Sequence, residues 1–160
     1  MNDRVSALLL LNRSSAAERL AVLEEAYEAW HSHLSGYANY LRVVASGTCD
    51  DVFEMIEREK KRPGFDITQP TWSRALFLPM AANTRMLWTD RGICWLAEEI
   101  IALAPINATT TSRMLNAFQH VGRLKPQLQA KVISVLEEIA AQVSDAVSPT
   151  IHRQARSYLG

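Results

Sequence analysis

The sequence predicts an all-α fold, an α-solenoid of stacked antiparallel helices. Three observations predict it. Apolar residues recur at three-four spacing along most of the chain. No segment shows sustained period-two alternation between turn residues, so no sheet is expected. The breaks, rich in Gly, Pro, Ser and Asn, are short, which makes successive helices antiparallel neighbours. About eight or nine helices paired in this way suit a superhelix of ARM or HEAT type better than a four-helix bundle. The chain has 160 residues, 48% of them apolar, enough for a core; it reads as a single helical-repeat domain over 1–160.

Each element follows from local signals. Residues 2–12 form a first helix with Asn2 or Asp3 as cap and Val5, Leu8 and Leu9 on one face. Ser15 and Glu18 have capping-box spacing for a second helix, whose stripe is Leu20, Leu23, Tyr27 and Trp30. Gly36 and Gly47 bracket a third, with Tyr37, Tyr40, Leu41 and Val44 inward. Thr48 or Asp50 caps a fourth, with Val52, Met55 and Ile56 inward and a basic tail, Arg58 to Arg62, read as a solvated helix end. Pro63-Gly64 stops it.

Pro70 opens a fifth helix bearing Trp72, Leu76 and Met80, bent or ended by Pro79. A loop over 82–91 follows. Ile93, Leu96, Ile100 and Leu103 mark a strongly apolar sixth helix. Asn107 or Thr109 caps a seventh, with Met114, Leu115, Phe118 and Val121. Leu128, Val132, Val135, Ile139 and Val143 mark an eighth. Ser148-Pro149 starts a last one ending at Leu159.

The charge balance is formally zero with a pI near 6.9, which speaks against nucleic acid or an anionic membrane surface as partner. No apolar run approaches the roughly 20 residues of a membrane span. Cys49 and Cys94 are far apart, which suits reduced thiols and a cytoplasmic location, with organellar targeting left open. His31 and His33 form an HxH pair, but at a helix-to-loop junction their rings diverge and no third ligand is near. Glu98 and Glu99 are adjacent on a helix, so their carboxylates do not converge, and a solvated face is expected. Cys94, between Ile93 and Trp95, reads as a buried structural thiol. No nucleophile–base pair, phosphate loop or metal-ligand spacing is present. The residues by themselves describe a helical domain with a packing or binding role and no catalytic residues.

A resemblance takes the reading further. Met1 to Leu8, Leu23 to Trp30, Pro63 to Ile67, Pro70 to Arg74, Trp95 to Asn107 and Ser112-Arg113 follow in order, at matching spacing, segments of one family. The chain resembles the far C-terminal helical domain of zinc metallo-aminopeptidases of the aminopeptidase N type. That resemblance implies a non-catalytic part of a hydrolase, which caps the active-site cavity and restricts peptide access. It implies that zinc sits in a catalytic domain outside this sequence, with no cofactor here. It also implies Arg74, Arg113 and Thr109 as substrate-channel residues, since a fixed guanidinium steers a peptide's carboxylate or polar backbone. The implied partners are that catalytic domain and a peptide substrate.

The chain also departs from the family pattern. The loop resembling N-P-x-x-F-H-x-x-D-G-S-G-Y runs here from Asn83 to Trp95 and lacks the proline, the histidine and one glycine. The segment resembling N-P-Q-V-A-S-R runs from Asn107 to Arg113 without the proline and glutamine. These losses, with an initiator-like Met1, keep an alternative open: a diverged stand-alone helical-repeat scaffold, or a subunit of a larger complex.

Overall fold

A computed structural model describes residues 2–160; the Met1 end of the resemblance, and the capping role read for Asn2, lie outside the described residues and side chains. Among the described residues the chain is helical, without strands, as the sequence predicts. Ten α-helices are present: α1 (Asn2–Leu11), α2 (Arg19–Trp30), α3 (Leu34–Ala45), α4 (Val52–Lys60), α5 (Pro70–Ala81), α6 (Thr84–Leu87), α7 (Asp90–Leu103), α8 (Ala108–Leu115), α9 (Pro126–Gln142) and α10 (Pro149–Leu159). Two 3-10 turns, Asn116–Phe118 and Val121–Arg123, lie between α8 and α9. The helices group into two compact units, one ending at Asn83 and the other running Thr84–Gly160.

In the first unit α3 is the central helix, packed on α5, α4, α2 and α1. Its inward residues are those the spacing predicts: Tyr37, Tyr40, Leu41 and Val44 are buried, joined by Ala38, Val43 and Ala45. Pro70 is at the first turn of α5, and the Gln69 side chain accepts from the N–H groups of Thr71 and Trp72. Pro79 lies inside α5, which continues to Ala81.

Local polar chemistry shifts several starts. The Ser15–Glu18 capping box does not form, because α2 begins at Arg19 with Glu18 at its N-cap. The buried face of α2 is Arg19, Leu23, Ala26 and Tyr27, while Leu20 is 48% exposed. Arg19 takes the inward place because it has partners there. Its guanidinium donates to Asn12 Oδ1 at 2.9 Å and pairs with Asp51, and the Asn12 amide donates to the Val43 and Val44 carbonyls. Asp51, not Thr48 or Asp50, is the N-cap residue of α4, and its carboxylate serves Arg19 rather than a backbone N–H.

The basic tail of α4 is solvated at Arg58 and Lys61, which are exposed, but not at Arg62 just past the helix end. Arg62 donates from both terminal nitrogens to Glu24 at 2.9 and 2.7 Å, and from Nε to both oxygens of Glu59 at 3.1 and 3.0 Å. Its guanidinium carbon lies 3.5 Å from the Tyr27 ring centroid, and His31 stacks on the same ring. Glu59 is fully buried and also accepts from the Tyr40 hydroxyl at 2.9 Å. The Arg62 hydrogen bonds hold the Glu24 carboxyl below its ordinary value. Burial, with the Glu59 charge alongside, pushes the Tyr37 and Tyr40 phenols well above theirs. Burial alone would favour neutral Arg62, but the hydrogen bond to Glu24 and the Glu59 charge outweigh it and hold the proton more firmly.

In the second unit α7 packs on α9, α8 and α6, and α10 packs on α9 and α8. Ile93, Leu96, Ile100 and Leu103 are fully buried, as are Met114, Leu115, Phe118, Val132 and Ile139. The expected loop over 82–91 contains α6, whose Met86 and Leu87 are buried, and α7 starts at Asp90. Thr89 caps α7 by accepting from the Gly92 N–H at 3.0 Å. Gly92 is required there: a Cβ would stand 2.5 Å from the Leu87 carbonyl oxygen and 2.8 Å from its carbon. Two expectations on α7 fail. Glu99 is buried at 6% exposure rather than solvated, and Cys94 is exposed rather than buried. Each turns on the roughly 100° rotation per helical residue, which sets neighbours in sequence on different faces.

Candidate functional site

The residues implied for substrate contact fall in two grooves, one in each unit. In the first, Arg74 is exposed on the first turns of α5 and its Nε donates to the Pro70 carbonyl at 3.0 Å. It lines a shallow groove of about 300 Å³ with Arg42 of α3 and Thr71, Ala75, Leu78 and Pro79 of α5. Arg42, also exposed, donates to Asn39 Oδ1 at 2.9 Å. Among the described residues neither guanidinium has a carboxylate partner.

The second groove, of about 280 Å³, brings Thr109 and Arg113 together with Ala108, Ser112 and Thr150. Asn107, rather than Thr109, caps α8: its side chain accepts from the Thr110 N–H at 3.1 Å. Thr109 is thereby left exposed at the start of the helix. The Ser112 hydroxyl donates to Gln154 Oε1 at 2.7 Å, and the Gln154 amide reaches back to the Ser112 carbonyl, Asn116 and Tyr158. This mesh ties α8 to α10 and fixes the turn from which Arg113 projects. Arg113 has no acidic partner among the described residues.

Neither groove is arranged for bond-breaking chemistry. Glu24, Tyr37, Tyr40, Arg62 and Asp66 have shifted proton affinities, and none of these five lines either groove. Among the described residues no three His, Cys, Asp or Glu side chains group as metal ligands would. His31 and His33 are both exposed; His31 Nδ1 lies 3.0 Å from the Tyr27 carbonyl, and His33 is the N-cap residue of α3. His152 Nδ1 lies 2.9 Å from the Val143 carbonyl. Exposed, unpaired guanidinium groups beside hydroxyls suit binding of a carboxylate or polar backbone. Arg42 is the residue that sequence reasoning missed. It sits three residues after Asn39 on α3, and nothing in its local pattern ties it to Arg74.

The model of a family described as a domain of unknown function with ARM repeats, DUF3458_C, matches residues 1–155, and the chain belongs to that family. Aminopeptidase N of Caulobacter vibrioides is 25% identical over 144 residues, covering 88% of this chain and 17% of that protein. The crystal structure of Legionella pneumophila aminopeptidase A in complex with aspartic acid matches with a TM-score of 0.87 at 24% identity. It covers 99% of this chain and 19% of that one, a likeness of fold. The chain thus spans about a fifth of the length of these relatives. They bear out the resemblance read from the sequence, to a C-terminal helical domain of aminopeptidases. No helix among the described residues is long and apolar enough to cross a membrane.

Proposed function

We propose that residues 1–160 act as one domain, the non-catalytic C-terminal part of a cytoplasmic zinc aminopeptidase. It caps the active-site cavity of the catalytic part and restricts which peptides reach it. The full enzyme removes N-terminal residues; zinc belongs to its catalytic part. Arg74, Arg113 and Thr109 are the side chains that meet the peptide.

The observation that carries this reading is the match itself. An ARM-repeat domain covers nearly the whole chain, and the relatives it matches are aminopeptidases several times longer. The two grooves support it chemically. They expose guanidinium groups without carboxylate partners, which a passing peptide can engage, and they offer no reacting group.

Two measurements test it. The purified 160-residue chain should not hydrolyse an aminoacyl-p-nitroanilide. The endogenous protein, detected with antibodies to this chain, should run several-fold larger and carry zinc and aminopeptidase activity. A small endogenous protein that copurifies with unrelated subunits and lacks zinc would overturn the proposal in favour of a scaffold.

A further inference from the structure

We propose that the groove between α3 and α5 is a binding site for a peptide's α-carboxylate, held by Arg42 and Arg74 together. The choice of a peptide as ligand rests on the aminopeptidase reading above; the anion chemistry rests on the groove alone. Two guanidinium groups from different helices line one groove, and no carboxylate lines it with them. Each spends one nitrogen on a neighbour that fixes its direction: Arg42 Nη1 on Asn39 Oδ1, Arg74 Nε on the Pro70 carbonyl. The remaining N–H donors of both are unspent among the described residues. The chain has as many acidic as basic residues, yet no carboxylate lines this groove, so an anion entering it meets only positive charge.

The rest of the groove completes the site: the Thr71 hydroxyl lies beside the two guanidinium groups, and Ala75, Leu78 and Pro79 make an apolar floor. The terminal residue of a peptide presents the matching set, a carboxylate and a small side chain. Inorganic phosphate matches the donors only.

The test uses the full chain and backbone amide NMR. Tri-alanine with a free carboxylate is titrated in, beside tri-alanine amide and inorganic phosphate. The free acid should shift the amides of Thr71, Ala75 and Leu78 and bind about tenfold more tightly than the amide, the size expected from two exposed charge-assisted contacts. The variants Arg42→Gln and Arg74→Gln, both at exposed positions and checked by their spectra for an unchanged fold, should each remove that preference. Equal binding of acid and amide, phosphate binding as tight as the free acid, a preference that survives R42Q, or no shifts at all would overturn the proposal. Loss of binding in a protein that is still several-fold larger and zinc-bearing would sink the groove and leave the cap reading intact. Carboxylate binding by a protein without zinc would do the reverse.

Discussion

The two units are built by different means. Residues up to Asn83 are cross-linked by polar side chains that reach far along the sequence. Arg19 joins Asn12 and Asp51, Arg62 joins Glu24 and Glu59, and the Asn83 amide donates to the Gly47 carbonyl at 2.8 Å. Residues Thr84–Gly160 are packed closely around the apolar face of α7; their polar contacts include the mesh at Gln154 and the pairs of Lys131 with Asp90 and Arg153 with Asp145. Polar cross-links fail when a partner is deleted or protonated; close packing fails when volume is added. The two units should therefore respond to opposite kinds of substitution.

The largest effect is expected at Gly92. Gly92→Ala places a methyl against the Leu87 peptide, which is backbone and cannot swing aside. A loss of about 3 kcal/mol, the upper end for overpacking, should appear in denaturant unfolding. Hydrogen exchange should show the loss of protection first in α6 and α7. Next is Arg62→Ala, which leaves the fully buried Glu59 without its closest cation, uncovers the Tyr27 ring and leaves Glu24 with Arg58 alone. Breaking such a pair would cost more in a sealed interior, but Glu24 is 41% exposed, so about 2 kcal/mol is expected. Exchange should then rise first in α2 and α4. A methyl at 92 that costs nothing, or an Arg62 deletion felt first in α7, would erase the distinction between the units.

The smallest effect is the most diagnostic of the polar unit. The folded Glu24 carboxyl titrates below its ordinary value of 4.5. Its contribution is therefore complete above pH 4.5 and is lost as pH falls through the lower folded value. Unfolding free energies of the wild type and of Glu24→Gln should differ by less than about 1 kcal/mol at pH 7, and the difference should shrink as pH falls below 4.5. A difference that persists undiminished at pH 3 would assign the effect to packing instead.

The apolar half of this architecture was legible because it is local. On α3 and α7 the inward positions repeat at helical spacing, and each was correctly placed from the side chains alone. The ionic half was not, because its partners are remote in sequence. Arg62 and Glu24 are 38 residues apart, and Arg19 and Asp51 are 32 apart. A basic run at a helix end looks the same whether it faces water or a buried glutamate, and a leucine beside a paired arginine, as at Leu20, loses its place in the core. The candidate site was legible only through resemblance. Arg74, Thr109 and Arg113 carry no local pattern that marks them, and the placing of Arg42 next to Arg74 depends on how α3 and α5 pack.

The tight turn at Gly92 also bears on how such a loop can diverge. The family pattern that Asn83–Trp95 resembles has two glycines, and only the first is present here, at Gly92. The second position is occupied by Cys94, which is exposed on α7. At 92 the backbone of Leu87 closes the space to any side chain; at 94 a cysteine side chain stands exposed. A side chain is therefore accommodated at the second glycine position and excluded at the first, two residues away: within one helical turn the backbone admits a substitution at one place and refuses it at the other.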